Sequence, residues 1–285
     1  MNNKVITKDW RIPKFVSSEF REKRTKYCVC IPVINEGEKI KKQLEKLSSF
    51  SHLIDIIILD GGSTDESVKP EFLIKNDVRT LLTKQDTGKL SSQLRMGFAY
   101  AIQQGYEGII TVDGNNKDSM ESIPDFIELL DQGYDFIQGS RYVPGGREIN
   151  TPFSRKFAIK LIHAPFISII SGFRYTDTTN GFRGHSSKFL LDERVQPFRE
   201  IFNTYELLAY LSVRAPKLGY RVIETPVMRS YPKGKIPTKI SPLRGNILLL
   251  KILFQLATGR FDPRNSAHNL VNKQDSDKMG HSNSM

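Results

Sequence analysis

Cysteine is almost absent from the 285 residues: only Cys28 and Cys30 occur. They stand at i and i+2 in the apolar run YCVCIPV, so on a strand they share a face and point the same way. That geometry disfavours a bond between them and assigns both to buried packing. A disulfide scaffold is excluded, and a reducing compartment fits. Tryptophan occurs once and histidine five times; neither His163 nor His185 has a metal-ligand spacing, so both read as structural. Long hydrophobic runs are lacking too, because the uncharged stretch from Leu161 to Phe173 falls well short of the ~20 residues that span a bilayer. The opening residues, MNNKVITKDWRIPKF, contain no apolar core segment, so no signal peptide is expected. Acidity is also lacking. Lys and Arg number 42 against 31 Asp and Glu, for a net charge of +11. Between Arg229 and Arg264, eight basic residues face one acid, Asp262, a local excess of +7. Such a field favours anionic partners.

What is present reads as one large core. Hydrophobic residues make up 39% of the chain, an ordinary globular share that excludes disorder throughout. Tyr27 to Val33 is an apolar strand, and Asn35-Glu36-Gly37 then opens a helix with Ile40, Leu44 and Leu47 at helical spacing. The unit repeats. Ile54 to Leu59 ends in Asp60-Gly61-Gly62-Ser63-Thr64-Asp65, where Ser63 or Thr64 can cap the next helix. Val78 to Leu82 precedes Thr87-Gly88-Lys89 and a helix lined by Leu90, Leu94, Phe98 and Ala101. Ile109 to Val112 is a fourth strand, ending on Asp113 and followed by Gly114, Asn115 and Asn116. A carboxylate and two amides thus stand at the carboxyl end of a strand, where open α/β sheets bind ligands. Asp118 and Glu121 have capping-box-like spacing before the helix Ile123 to Leu130, and Phe136-Ile137 begins another strand. This alternation predicts a doubly wound α/β sheet over residues 27–140.

After Gly139 the rhythm breaks. GSRYVPGGREINTPFSRK is loop-like and carries Arg141, Arg147, Arg155 and Lys156 on an expected exposed face. A helix from Phe157 to Ile170, a helix through Tyr205-Glu206-Leu207-Leu208 and a last strand from Gly219 to Val227 follow. The end of the chain interleaves basic and aliphatic residues, as a helix lying in a membrane interface or packed on the core does.

CIPVINEGEKI, LDGGSTDES, the Gly-Lys of TGKLSSQLRMGFA, TVDGNN, GSRYVPGG, TTNGFRG and GYRVIETPV stand together in one order and spacing. In these motifs the chain resembles the inverting family 2 glycosyltransferases over about residues 27–250, and it looks most like the dolichyl- or polyprenyl-phosphate sugar transferases. The resemblance implies a GT-A fold: a Rossmann-like doubly wound mixed sheet, an acceptor-side region of helices and loops, and a basic amphipathic C-terminal segment. Residues 1–26 are then a basic extension, 27–140 a nucleotide-sugar half, 141–260 an acceptor half, and 261–285 a polar tail.

The resemblance also implies roles. Pro32 and Glu36 would line the base and ribose, a carboxylate being a natural acceptor for ribose hydroxyls. Asp60 would accept a base N–H, and Lys89 would neutralise the diphosphate. Arg183 and Lys239 would make further substrate contacts. Asp113 matches the first acid of an Asp-x-Asp motif that holds Mg²⁺ or Mn²⁺ across two phosphates. The second acid is Asn115 here, one formal negative charge fewer, while Lys117 brings cationic charge of its own. Asp118 is either a substitute ligand or a helix cap. Arg141 and Arg155 match the arginine pair that grips a lipid phosphate, although the serine found one helical turn later in that branch is Ile159 here. Glu206 stands where relatives acting on hydroxyls place a base.

The implied reaction moves a sugar, with inversion, from a UDP- or GDP-linked donor to a polyprenyl-phosphate or lipid-linked acceptor. A lipid phosphate is already anionic, whereas a sugar hydroxyl needs a base. The alternative is therefore a saccharide hydroxyl acceptor in surface-polysaccharide synthesis, with Glu206 as base. A nucleotidyltransferase would carry a glycine-rich basic loop where this chain has CIPVINEGE, and a nucleotide-sugar binder without catalysis is the remaining variant. Nucleic acid is not an expected partner, because the basic residues interleave with aliphatic rather than aromatic ones. The expected location is cytoplasmic, with peripheral contact to anionic lipid at the inner membrane face.

Overall fold

Apolar runs of strand length set the frame of the computed structural model, which describes residues 10–232 and 242–263. In chain order the strands are β1 (Phe15–Glu19), β2 (Tyr27–Val33), β3 (Asp55–Asp60), β4 (Val78–Lys84), β5 (Gly108–Thr111), β6 (Phe136–Ser140), β7 (Arg147–Ile149), β8 (Arg183–Ser186), β9 (Val222–Pro226) and β10 (Met228–Ser230). Helices α1 (Glu38–Leu47), α2 (Pro70–Lys75), α3 (Leu90–Gln103) and α4 (Ile123–Asp131) connect the early strands. Later come α5 (Phe153–Ala158), α6 (Ala164–Ser171), α7 (Ser187–Leu191), α8 (Glu206–Lys217) and α9 (Pro242–Ala257).

Eight strands form one sheet in the order β1-β4-β3-β2-β5-β8-β6-β9. β2 to β5 are mutually parallel, and β3 is buried along its whole length, as a strand covered on both faces must be. The period of two sorts the core. Cys28, Cys30, Ile57 and Leu59 face α3 and α8, while Val29, Ile31, Ile56 and Ile58 face α1 and α4. Both cysteines are buried, free and on one face, as their spacing predicts. α3 lies close to the sheet because a Cβ on Gly97 would meet Leu59 at 2.6 Å.

Crossovers from β2 run to β3 on one side, and β5 lies on its other side. The loops leaving β2, β3 and β5 therefore meet at the carboxyl ends of the strands, the side on which open α/β sheets bind ligands.

Three expectations change. The supposed N-terminal extension supplies β1, which pairs antiparallel with β4, and Trp10, which stacks on Phe198 with ring centroids 3.9 Å apart. As an edge strand with four exposed residues of five, β1 has no apolar period to read. Second, β8 grows from the turn-rich RGHS and inserts antiparallel between β5 and β6, while β9 extends β6 in parallel. The two expected halves therefore share one sheet. Third, the helix expected from Phe157 starts at Phe153 and widens into a π-helical turn at Ile159–His163, just before Pro165, which has no N–H to donate.

α9 packs on α6 and α8 through Ile252, Leu253 and Leu256. Phe261 is buried and Asp262 pairs with Arg214 at 3.4 Å, so the start of the expected tail is docked. Lys239, Lys235 and the tail from residue 264 lie outside the described residues. No helix among the described residues is long and apolar enough to cross a membrane.

Candidate active site

The loops after β2 and β3 are tied to each other. Asn35 adopts the left-handed region (φ 48°) and accepts from the backbone N–H of Thr64 at 2.8 Å, while its own N–H donates to Ser63 Oγ at 3.0 Å. Asn is one of the few residues that take this conformation at low cost. Asp60 is buried, and its Oδ1 accepts from the Ser63 N–H at 2.9 Å. The cap of the following turn is Asp65, which accepts from the Ser67 N–H, and not Ser63 or Thr64. Pro32 and Glu36 are half-buried beside this cradle. A Cβ on Gly114 would stand 3.0 Å from the Pro32 carbonyl oxygen, so the turn after β5 is pressed against the end of β2. Pro32, Glu36, Asp60 and Asp113 thus share one end of the sheet. Lys89 is exposed just before α3, with Nζ 5.6 Å from the Tyr205 ring centroid.

Asp113 is engaged by a residue the sequence reading passed over. Arg229 donates through Nη2 to Asp113 Oδ2 at 2.9 Å and through Nη1 to Asp118 Oδ2, with Asn180 Oδ1 at 3.3 Å from the same nitrogen. β10 carries Arg229 alongside the turn: the Ser230 N–H donates to the Lys117 carbonyl, and the Ser119 N–H to that of Met228. Asp118 is therefore a buried ion-pair partner and not a helix cap. Burial pushes its carboxyl up against the opposing charge of Arg229. At Asp113 burial acts the same way, but Arg229 prevails and holds the carboxyl below its usual range. Asn115 donates from Nδ2 to Asp113 Oδ2 at 3.4 Å, and its Oδ1, like Asp118 Oδ1, is buried without a partner. Asn116 is turned away onto α1, its N–H donating to Gln43 Oε1 at 2.7 Å.

These residues do not fit the expected Asp113–Asn115 site for Mg²⁺ or Mn²⁺. One oxygen of each carboxylate already binds a guanidinium, and no cluster of three or more Asp, Glu, His or Cys suited to a metal exists among the described residues. Arg229 and Lys117 also bring two positive charges to the turn that would oppose a divalent ion there.

Next to this pair lies Tyr231, buried and ringed by cations. Lys117 Nζ is 5.2 Å from its ring centroid, and the guanidinium carbons of Arg155 and Arg229 are at 5.3 and 5.8 Å. Arg141 Nη1 donates to its hydroxyl at 3.4 Å. Burial would raise the phenol, yet Arg229, Arg141 and Arg155 outweigh it and bring it below its ordinary value. Lys117 and Arg155, both half-buried, form no ion pair with an acid among the described residues.

Arg141 corrects an expectation: it is 3% exposed rather than on an open face. Its Nε and Nη2 grip Asp177 Oδ2 and Oδ1 at 2.6 and 3.0 Å, and Nη2 also reaches Thr179 Oγ1. Glu224 holds that loop by accepting from the N–H groups of Thr176 and Asp177. Arg183 is likewise not at a substrate surface. It donates to the carbonyls of Asn180, Thr178 and Leu208 and to Ser212 Oγ, stitching the loop to α8, and burial lowers it to about 10. Glu206 is buried rather than open, with both oxygens accepting from Thr204. His185 lies between Phe98 and Phe136, and burial drives it down to about 3. Asp177, Glu224, Arg229 and Tyr231 were missed. Only Arg229-Ser-Tyr231, polar residues directly after an apolar strand, offered a signal.

Gly181 sits against the key carboxylate: a Cβ there would be 2.5 Å from Asp113 Oδ1. Gly181→Ala is expected to push Asp113 off Arg229 and lower kcat about 100-fold, the scale of an ångström-level misplacement. Steady-state kinetics on a variant with an unchanged circular dichroism spectrum checks this, and wild-type kcat would refute it.

A family model described as Glycosyl transferase family 2 matches residues 28–196. Among curated relatives, the undecaprenyl-phosphate mannosyltransferase of Micrococcus luteus is 26% identical over 200 residues, covering 69% of this chain and 80% of that one. The dolichyl-phosphate hexose transferase of Haloferax volcanii is 28% identical over 233 residues, covering 80% and 92%. Among solved structures, glucosyl-3-phosphoglycerate synthase from Mycobacterium tuberculosis, in complex with Mn²⁺, UDP and phosphoglyceric acid, superposes with a TM-score of 0.60 at 12% identity, over 81% of this chain and 78% of that one. That likeness shows the GT-A fold.

Proposed function

Since the chain belongs to glycosyl transferase family 2, we propose that it moves a hexose from a nucleotide-sugar donor to the phosphate of a polyprenyl phosphate at a membrane surface. The observation that carries this reading is the two-sided character of α5. Arg155 turns inward to Tyr231 beside Lys117, while Phe153 and Phe157 on the same helix are 81% and 51% exposed and Leu161, one turn on, is 62% exposed. An acceptor that is anionic at its head and apolar along its tail matches both sides. α9 leaves Ile247, Leu250 and Phe254 exposed as well, and exposed apolar groups on basic helices suit a lipid interface.

The chemistry asks little of a base. A phosphate monoester has its second pKa near ~6 and is a dianion at neutral pH. Its oxygen attacks the anomeric carbon from the face opposite the leaving group. The bond from that carbon to the diphosphate oxygen breaks, the electron pair leaves with the nucleoside diphosphate, and the configuration inverts. Arg155 orients the attacking phosphate, and Pro32, Glu36 and Asp60 surround the nucleoside. Engagement of both Glu206 oxygens by Thr204 favours a phosphate over a hydroxyl acceptor.

The test supplies UDP- and GDP-hexoses together with undecaprenyl phosphate in anionic vesicles and reads products by mass spectrometry. One hexose added to the lipid phosphate is the expected product. Transfer only to a saccharide hydroxyl would overturn the reading. In parallel, the Phe153→Ser, Phe157→Ser double variant is expected to lose most co-sedimentation with those vesicles, and undiminished binding would remove the membrane contact from α5.

A further inference from the structure

Arg229 and Lys117 together carry the charge of a divalent ion at the Asp113 turn. The two acids there, Asp113 and Asp118, bring two negative charges, and Arg229 and Lys117 bring two positive ones, so the cluster is already neutral without a metal. In an Asp-x-Asp site the same balance is struck by two carboxylates and one M²⁺. Arg229 spans the two carboxylates itself, 2.9 Å from Asp113 Oδ2, with its other terminal nitrogen on Asp118 and Asn180. Asn115, at the position of the second acid, donates its amide N–H to Asp113 instead of contributing a charge. The cation is held in place by backbone pairing of β10 with the turn at residues 117–119 and by parallel pairing of β10 with β7.

From this geometry we infer that the donor diphosphate is bound and its leaving charge neutralised by the resident Arg229 and Lys117, and that a divalent cation is dispensable for nucleotide binding. The inference rests on the proposed nucleotide-sugar reading and deepens it. A guanidinium pinned between two carboxylates presents its charge at a set position, and a lysine two residues from the motif's second position completes the pair. Asn115 Oδ1 and Asp118 Oδ1, buried without partners, are the oxygens a metal would recruit once Arg229 is gone.

The experiment is calorimetric titration of the full chain with UDP and with GDP, in EDTA and in millimolar Mn²⁺. For whichever nucleotide binds, the two wild-type Kd values are expected to agree within about threefold. Lys117→Gln is expected to weaken binding in EDTA by at least ~10-fold, the scale of one lost charge-assisted contact. Arg229→Gln is expected to weaken it by ~30-fold or more in EDTA and to regain much of that loss in Mn²⁺. Wild-type binding that vanishes in EDTA and returns with Mn²⁺ overturns the inference while leaving the nucleotide-sugar reading intact, and needs no variant to fold. Binding of neither nucleotide under either condition overturns the reading itself, and the inference with it.

Discussion

Asp113→Ala is expected to lower turnover by at least ~10³-fold while leaving the protein folded, because it releases one of the two anchors that hold the Arg229 guanidinium where the departing diphosphate is neutralised. Asp113 is half-buried at a strand end, and its loss strips Arg229 of one of two carboxylates. Asp118 keeps Arg229 paired, so the stability cost should stay within ~1–2 kcal/mol, a shift of a few degrees for a chain of this size. Assay of product formation alongside a melting curve separates the two effects. Near-normal turnover in a folded variant would remove Asp113 from the reaction.

A second expected result contrasts two arginines that the sequence presents as a pair. Arg155→Ala should raise KM for the polyprenyl phosphate by ~30-fold or more and that for the nucleotide sugar by less than ~3-fold, since Arg155 has no acid partner among the described residues and, in the proposed reading, orients the acceptor phosphate. Arg141→Ala should act mainly on stability. It would leave Asp177 buried and unpaired, a loss of ~3–5 kcal/mol. Glu206→Gln is expected to change kcat little, as a phosphate acceptor needs no base. An inactive Glu206→Gln beside a nearly normal Arg155→Ala would move the acceptor to a sugar hydroxyl.

That contrast marks where sequence reasoning stopped. Arg141 and Arg155 belong to the same loop-like stretch and look equivalent in one dimension, yet Asp177, 36 positions beyond Arg141, buries one of them and leaves the other to Tyr231. Arg183 fell to the same ambiguity: an arginine in a turn-rich motif reads as a ligand group until its donors are found on the carbonyls of α8 and its own loop. Glu206 read as an open helix acid; its contacts with Thr204, two residues away, are local, whereas its burial depends on how α8 docks beside α3.

The alternation of buried apolar runs with amphipathic helices over residues 27–140 was determined by the sequence alone, because a strand covered on both faces and a helix covered on one each leave a local period. Asp113 at the carboxyl end of β5, beside Pro32, Glu36 and Asp60, follows from that order, since parallel strands bring their ends to one side. The packing of Cys28 and Cys30 on one face follows from the same period. Only the tertiary structure decided that β1 closes the β4 edge, that β8 runs backwards between β5 and β6, and that Arg229 lies between Asp113 and Asp118, 116 and 111 positions away. Ion pairs across such separations leave no period in the chain: they form where the sheet order brings two segments together and burial makes an unpaired charge too costly to keep.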